Sequence, residues 1–260
     1  MSLVHGTRAG GAPAAILKMS LMLLVLSLVG VRAARADGWG VNAVVTYNQA
    51  EWGVQTNPAG MLVNDYFDPV YASASGVFEV GNTTSGYYIV FTNAVDVIDY
   101  LPASGLPGPL NGNLLNPTTS PAGQFGGEVT ALALNLDFSN AGLLPNSSGL
   151  LFGNLVLTGF TGSESSLNGM TVDQFFGLSQ AALAGQSTSI GIPDMEDLTA
   201  NVNAAFDNGQ PDTFAQDHLV APGSSAAMPE PSALMLLAIG IFTVALVTKR
   251  HVPIRQTIRS

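Results

Sequence analysis

"FGGEVTALALNLDFSNAG", Phe125 to Gly142, is the stretch on which the fold turns. Apolar side chains at Val129, Leu132 and Leu136, with their near neighbours, recur at the interval of one helical face, which predicts an amphipathic helix. Leu132, Leu134 and Leu136 also alternate, so a strand is the competing reading. The choice decides whether the second half of the body is built on helices or on further sheet.

The downstream segments favour helices. "MTVDQFFGLSQAALAG", Met170 to Gly185, has Thr171 as N-cap, Asp173 in the first turn and Gly185 as C-cap around apolar residues at helical spacing. "PDMEDLTANVNAAFDNG", Pro193 to Gly209, repeats the design, with Pro193 and three acids at the positive end of the helix dipole and Asn208-Gly209 at the close. Between these helices and the opening stretch, "NLVLTGF", Asn154 to Phe160, reads as a strand.

Upstream the pattern changes. "VNAVVTYN" (Val41 to Asn48), "GVFEVG" (Gly76 to Gly81) and "SGYYIVFTN" (Ser85 to Asn93) are β-prone runs, and "GNTTSG" (Gly81 to Gly86) reads as the turn joining the last two. "NAVDVIDYLP", Asn93 to Pro102, reads as one helical turn or a strand end, and Leu101 to Gly123 as a Pro/Gly loop. The expectation is an α+β domain: a β-rich part with a small antiparallel sheet over 37–122, then an α-rich part over 123–227. There is no tandem repeat at solenoid periods.

Charge divides the chain into ends and body. All 8 Lys and Arg lie at the two ends, and from Asp37 to Met228 there is neither. All 18 acids fall between Asp37 and Glu230. Nucleic-acid binding, which needs cations against phosphates, is thereby excluded for the body, and phosphoryl transfer is disfavoured for the same reason. No cysteine means no disulfide and no thiolate metal site.

The ends read as targeting segments. His5, Arg8 and Lys18 form a basic region ahead of the apolar run Met19 to Val31, and Ala34 and Ala36 frame an A-x-A site for signal peptidase. The expected signal peptide is 1–36, with a signal helix inside it. At the other end, Ser232 to Val247 would rise only about 24 Å as a helix, against roughly 30 Å of hydrocarbon core. Length alone leaves a core helix open. Lys249 and Arg250, followed by Arg255 and Arg259, form a positive-inside stop and favour a transmembrane helix over 232–248.

Pro229, Glu230 and Pro231, then the apolar run, then Lys249-Arg250, together resemble the PEP-CTERM sorting signal of Gram-negative bacteria. The resemblance covers the segment 228–260 and implies a substrate of an exosortase, a membrane-embedded protease. It also implies transient membrane anchoring through the C-terminal helix, delivery to the cell surface, and company with exopolysaccharide and biofilm. "FDPVYASASGVFEVG" (Phe67 to Gly81) and "GQFGGEVTALALNLDFS" (Gly123 to Ser139) are similar to blocks of secreted proteins of this kind that carry no assigned activity. The resemblance therefore implies a structural or interaction role without catalysis, with extracellular polysaccharide as a partner.

Catalytic candidates are few. His218 is the one histidine of the body and could serve a Ser-His-Asp hydrolase; no G-x-S-x-G or H-E-x-x-H motif accompanies it. A carboxylate-only polysaccharide hydrolase would draw two acids from Asp65, Asp68, Glu79, Asp96, Asp99, Glu128 and Asp137, with no spacing that selects a pair. Only Trp39 and Trp52 are available for sugar stacking by indole. No cofactor is expected beyond weak calcium binding. Its oxygen-rich candidates are "NDYFD" (Asn64 to Asp68), "NLDFSN" (Asn135 to Asn140) and "DNGQPD" (Asp207 to Asp212), none with an EF-hand pattern.

Overall fold

In the computed structural model, which describes residues 38–224 apart from Ser75 and Thr83, the opening stretch is a helix. It is labelled α4 and spans Gly123–Asn140. It is not amphipathic. Every face is covered, from Phe125 and Val129 to Leu132, Leu134, Leu136 and Phe138. A helix apolar all round belongs inside a core, and the other elements are arranged about this one. Truncating Leu134, which has no exposed surface, to Ala would cost about 2–5 kcal/mol.

The elements around α4 follow in chain order. Helix α1 is Gln49–Trp52 and α2 is Pro58–Tyr71. Strands β1 (Phe78–Gly81) and β2 (Tyr88–Phe91) pair antiparallel, Phe78 opposite Phe91 and Gly81 opposite Tyr88. Helix α3 is Ala94–Tyr100, and β3 (Leu114–Leu115) adds parallel to β2. Beyond α4 come β4 (Val156–Leu157), α5 (Val172–Leu183), α6 (Ile192–Ala204), α7 (Thr213–His218) and β5 (Leu219–Val220). β4 and β5 form a separate antiparallel pair, Leu157 opposite Leu219. The class is mixed α+β, as expected.

Two segments of the expected β-rich part differ from the sequence reading. Val41 to Asn48 is not a strand: Asn42 sits at φ 57, in the left-handed region, and the segment makes one bridge, Thr46 to Asp207. Asn42 and Thr46 bond to the backbone of the 206–209 turn, and at Tyr47 a side chain takes over. Asn135 of α4 accepts from the Tyr47 amide at 2.9 Å and donates to the Tyr47 carbonyl at 2.8 Å, so one carboxamide takes the place of a neighbouring strand. Asn48 then caps α1 in a reciprocal capping box with Glu51.

The second difference is α2, a helix the strand-like composition concealed. Pro58 occupies its first turn, where the missing N–H costs nothing, and Ala59, Val63, Phe67 and Tyr71 form a buried stripe four residues apart. Asn93 to Pro102 resolves as a helix, α3, started by the Asn93 cap on the Asp96 amide. β4 covers two residues of the expected Asn154 to Phe160 strand, and α6 ends at Ala204, before the Asn208-Gly209 turn.

α5 matches its sequence signals closely. Thr171 and Gln174 form a capping box, and Gly185 takes φ 87 just past the end. Close approach to α4 is secured at Gly127, where an added Cβ would sit 2.0 Å from Gln49 Oε1 and 2.9 Å from Ala103 Cβ.

The targeting residues Ala34, Ala36, Pro229, Glu230, Pro231, Lys249 and Arg250 lie outside the described residues, as do the expected signal and transmembrane helices. Among the described residues no helix is long and apolar enough to cross a membrane.

Candidate functional site

A surface cleft of about 270 Å³ contains the body's one histidine. Three elements build it. α6 contributes Asp194, Asp197, Leu198 and Asn201, which share one face because three- and four-residue steps return to the same side of a helix. α7 contributes Phe214 and His218, one turn apart. The loop after β4 contributes Gly159, Phe160, Thr161 and Glu164.

The pairing of β4 with β5 sets His218 against this loop. Its Nδ1 lies 2.9 Å from the Thr158 carbonyl. A carbonyl only accepts, so Nδ1 carries the hydrogen and Nε2 is the free nitrogen. The imidazole stacks on Phe160 at 4.5 Å and 24°, and Phe214 closes on it at 5.0 Å. Gly159 at φ 79 lets the chain pass, since a Cβ there would stand 3.0 Å from the Asp217 carbonyl. Phe160 is fixed by Asn168, which accepts from its amide and donates to its carbonyl, both at 2.9 Å. Asn168 repeats the device of Asn135.

The wall is aromatic, the rim is oxygen. Glu164, Asp194 and Asp197 supply carboxylates, Asn201 an amide and Thr161 a hydroxyl, with no Lys or Arg among the described residues to neutralise them. Such a surface stacks on a flat apolar face and accepts hydrogen bonds from hydroxyl or amine groups around it.

The acids singled out in the sequence do not converge. Asp65 and Asp68 are exposed one turn apart on α2, Glu79 is exposed on β1 and Asp99 on α3, and none of the four lines the cleft. Asp96 is bonded to its cap, Asn93, at 2.6 Å. Glu128 and Asp137 both belong to α4. Nine residues at 100° each turn them to opposite sides of the helix, and about 13 Å of rise separates them. They cannot flank one glycosidic bond, whose two carboxyls stand at most about 9.5 Å apart.

Glu128 and Asp137 each have their own partners, amides for the one and a hydroxyl for the other, in place of cations. Glu128 accepts from Gln49 at 2.7 Å and Asn203 at 2.8 Å; burial pushes its carboxyl up, and these two bonds pull it back. Asn135 donates to Asn203 in turn, at 3.1 Å. Asp137 accepts from the Tyr71 hydroxyl at 3.0 Å. Burial raises it to about 6, with Tyr71 opposing the shift and the nearby Asp173 adding to it.

The oxygen-rich stretches considered for calcium are spent elsewhere. Asn64 to Asp68 lies within α2, Asn135 serves Tyr47, and Asp212 caps α7 through the Ala215 amide at 2.7 Å. Among the described residues no group of three or more His, Asp or Glu is placed to hold a metal ion. Trp39 packs edge-on against Phe206, and Trp52 is wholly buried against Tyr47 and Phe138, so neither lines the cleft.

Sequence reasoning named His218 but missed its setting. The spacing of Asp194, Asp197 and Asn201 was a legible signal of a shared polar face; the acids were explained as helix-dipole groups alone. One carboxyl pair, Glu51 with Asp207, had no local signal at all. No family model, no curated protein and no solved structure matches the chain.

Proposed function

We propose that this chain is an exported protein of the cell surface or exopolysaccharide matrix, sorted by an exosortase and acting without catalysis as a structural or interaction module. In this reading 1–36 carries the signal helix, 232–248 is a transmembrane helix, and Pro229-Glu230-Pro231 is the processing label ahead of the Lys249-Arg250 stop. The observation that carries it is the order of these features around a body with no Lys or Arg from Asp37 to Met228, a distribution that orients the body away from the cytoplasm. The dispersal of the candidate acids, none of which lines the cleft, supports the non-catalytic part.

The partner this reading favours is extracellular polysaccharide, held at the His218 cleft. Half-buried Phe214 and His218 offer the stacking surface, backed by buried Phe160, and Asp194, Asp197 and Asn201 accept from sugar hydroxyls. An anionic polymer would be repelled by an all-acidic body, so a neutral or amino-sugar polymer is the fitting class.

Replacing Pro229, Glu230 and Pro231 by Ala in a host with an exosortase tests the sorting half. Accumulation of the longer, membrane-held form is the expected result, and equal mass and location of the two proteins would refute it. Cosedimentation with neutral and amino-sugar polymers tests the cleft: Phe214→Ala together with Asp197→Ala should abolish binding by the wild-type chain.

A further inference from the structure

The pair formed by Glu51 and Asp207 is built to a different logic from the other acids. Asp207 lies in the turn after α6, and its backbone region is laced to the N-terminal segment. The Thr46 amide donates to the Phe206 carbonyl at 3.0 Å, and the Asn208 amide to the Thr46 carbonyl at 3.1 Å. The Asn42 amide donates to the Gly209 carbonyl at 2.7 Å. The Asp207 carboxyl is the hydrogen-bond neighbour of Glu51, contributed by α1.

The donors at this spot do not suffice for two carboxylates. Glu51 Oε1 accepts from Asn208 Nδ2, and Glu51 Oε2 accepts from the Asn48 amide at 3.3 Å. The same two groups also hold the Asp207 carboxyl down, so they are shared between the two acids, and Asp207 Oδ1 is buried with no donor. A buried carboxylate oxygen without a partner is costly, and a second carboxylate beside it makes ionisation costlier still. The other titratable group facing the pair is the Tyr47 phenol, itself raised by burial, by Glu51 and by Asp207. No Lys or Arg stands among the described residues.

We propose that Asp207 and Glu51 share one proton, carried on Asp207 and donated to Glu51, and that this proton is a clasp fastening residues 42–48 to the 206–209 turn. Opening breaks the hydrogen bond and exposes Asp207, which then gives its proton to water; kept closed without that proton, the two adjacent carboxylates repel. Burial and then Glu51 hold Asp207 up at about 7, so the clasp is closed in mildly acidic surroundings and strained above neutrality.

The sign follows from linkage. Between the ordinary aspartate value and about 7 the closed form binds the extra proton, so opening releases it and grows easier as pH rises. Hydrogen exchange of the full-length chain, corrected for intrinsic rates, reads this at the amides of Asn42, Thr46 and Asn208. Their opening constant should rise about tenfold per pH unit between roughly pH 5 and 7, then level off. Asp207→Asn places an amide donor where the proton sits and should flatten that slope. Glu51→Gln, which removes the repelling charge, should flatten it as well and serves if the first variant does not fold. A flat wild-type profile, or variants that keep the wild-type slope, overturns the proposal.

Discussion

Asn203 of α6 reaches Glu128 of α4 twice, donating through Nδ2 to the carboxylate at 2.8 Å and to the backbone carbonyl at 3.0 Å. Its own carbonyl oxygen receives Asn135. The two helices at the centre of the body are thus joined through amides around a buried charge. Asn203→Ala should destabilise the protein by about 3 kcal/mol, because it strands a carboxylate oxygen and an amide donor inside the core. Urea unfolding of variant and wild type measures it. A loss below about 1 kcal/mol would mean water takes up both partners.

The carboxyls with resolved shifts all move upward: Asp137 to about 6, Asp207 to about 7, and Glu128, Asp173 and Glu196 in the same direction. A raised carboxyl favours the protonated native state, so its stabilisation is complete below the unfolded value and is lost as pH climbs through the folded one. The melting temperature should therefore fall between about pH 4 and 7 and flatten above, the reverse of the usual acid denaturation. Calorimetry across that range decides it, and a melting temperature that rises from pH 4 to 7 refutes it.

Tyr71→Phe sharpens the same point at one residue. The hydroxyl stabilises the charged form of Asp137. Removing it should raise that carboxyl above about 6, visible as a shifted carboxyl carbon titration by NMR. An unmoved midpoint would show that the bond does not persist in solution.

Two glycines on helices should respond with opposite signs. Gly177 lies on the exposed side of α5 with nothing within 4 Å of an added Cβ, so Gly177→Ala should gain about 0.5–1 kcal/mol of stability. Gly127 has Gln49 and Ala103 against it, so Gly127→Ala should lose about 1–3 kcal/mol. Denaturant midpoints of both variants decide the signs, and the Gly127 variant tests the packing of α1 on α4.

What could be read from the residues was what local pattern carries. The caps of α5 at Thr171 and Gly185, the β1–β2 hairpin and the helical period of α4 are written within a few residues of one another. Burial of α4 on every side was not, because period reports spacing, whereas coverage depends on neighbours far along the chain. The Val41 to Asn48 run has the composition of a strand, yet its hydrogen bonds go to the distant 206–209 turn and, at Tyr47, to a side chain 88 residues away. Helix α2 is the converse case: Val63, Phe67 and Tyr71 recur at helical intervals, while their residue types are those favoured in strands. At the cleft, Phe160 meets His218 through the pairing of β4, legible within Asn154 to Phe160, with β5, a two-residue strand that leaves no sequence signature.

Asn168 holds Phe160 by both its amide and its carbonyl, and the residue after it is Gly169. With no side chain on the following residue to obstruct cyclisation, this linkage is chemically perishable. Hydrolysis of the carboxamide would convert a donor into an acceptor facing the Phe160 carbonyl, and the loop bearing the cleft's aromatic wall would lose its tether. Asn208 precedes Gly209 in the same way beside Glu51, where the product would add a third carboxylate to the clasp. A body that uses amides where other proteins use cations ages at its amides, and the cleft and the clasp would be its timekeepers.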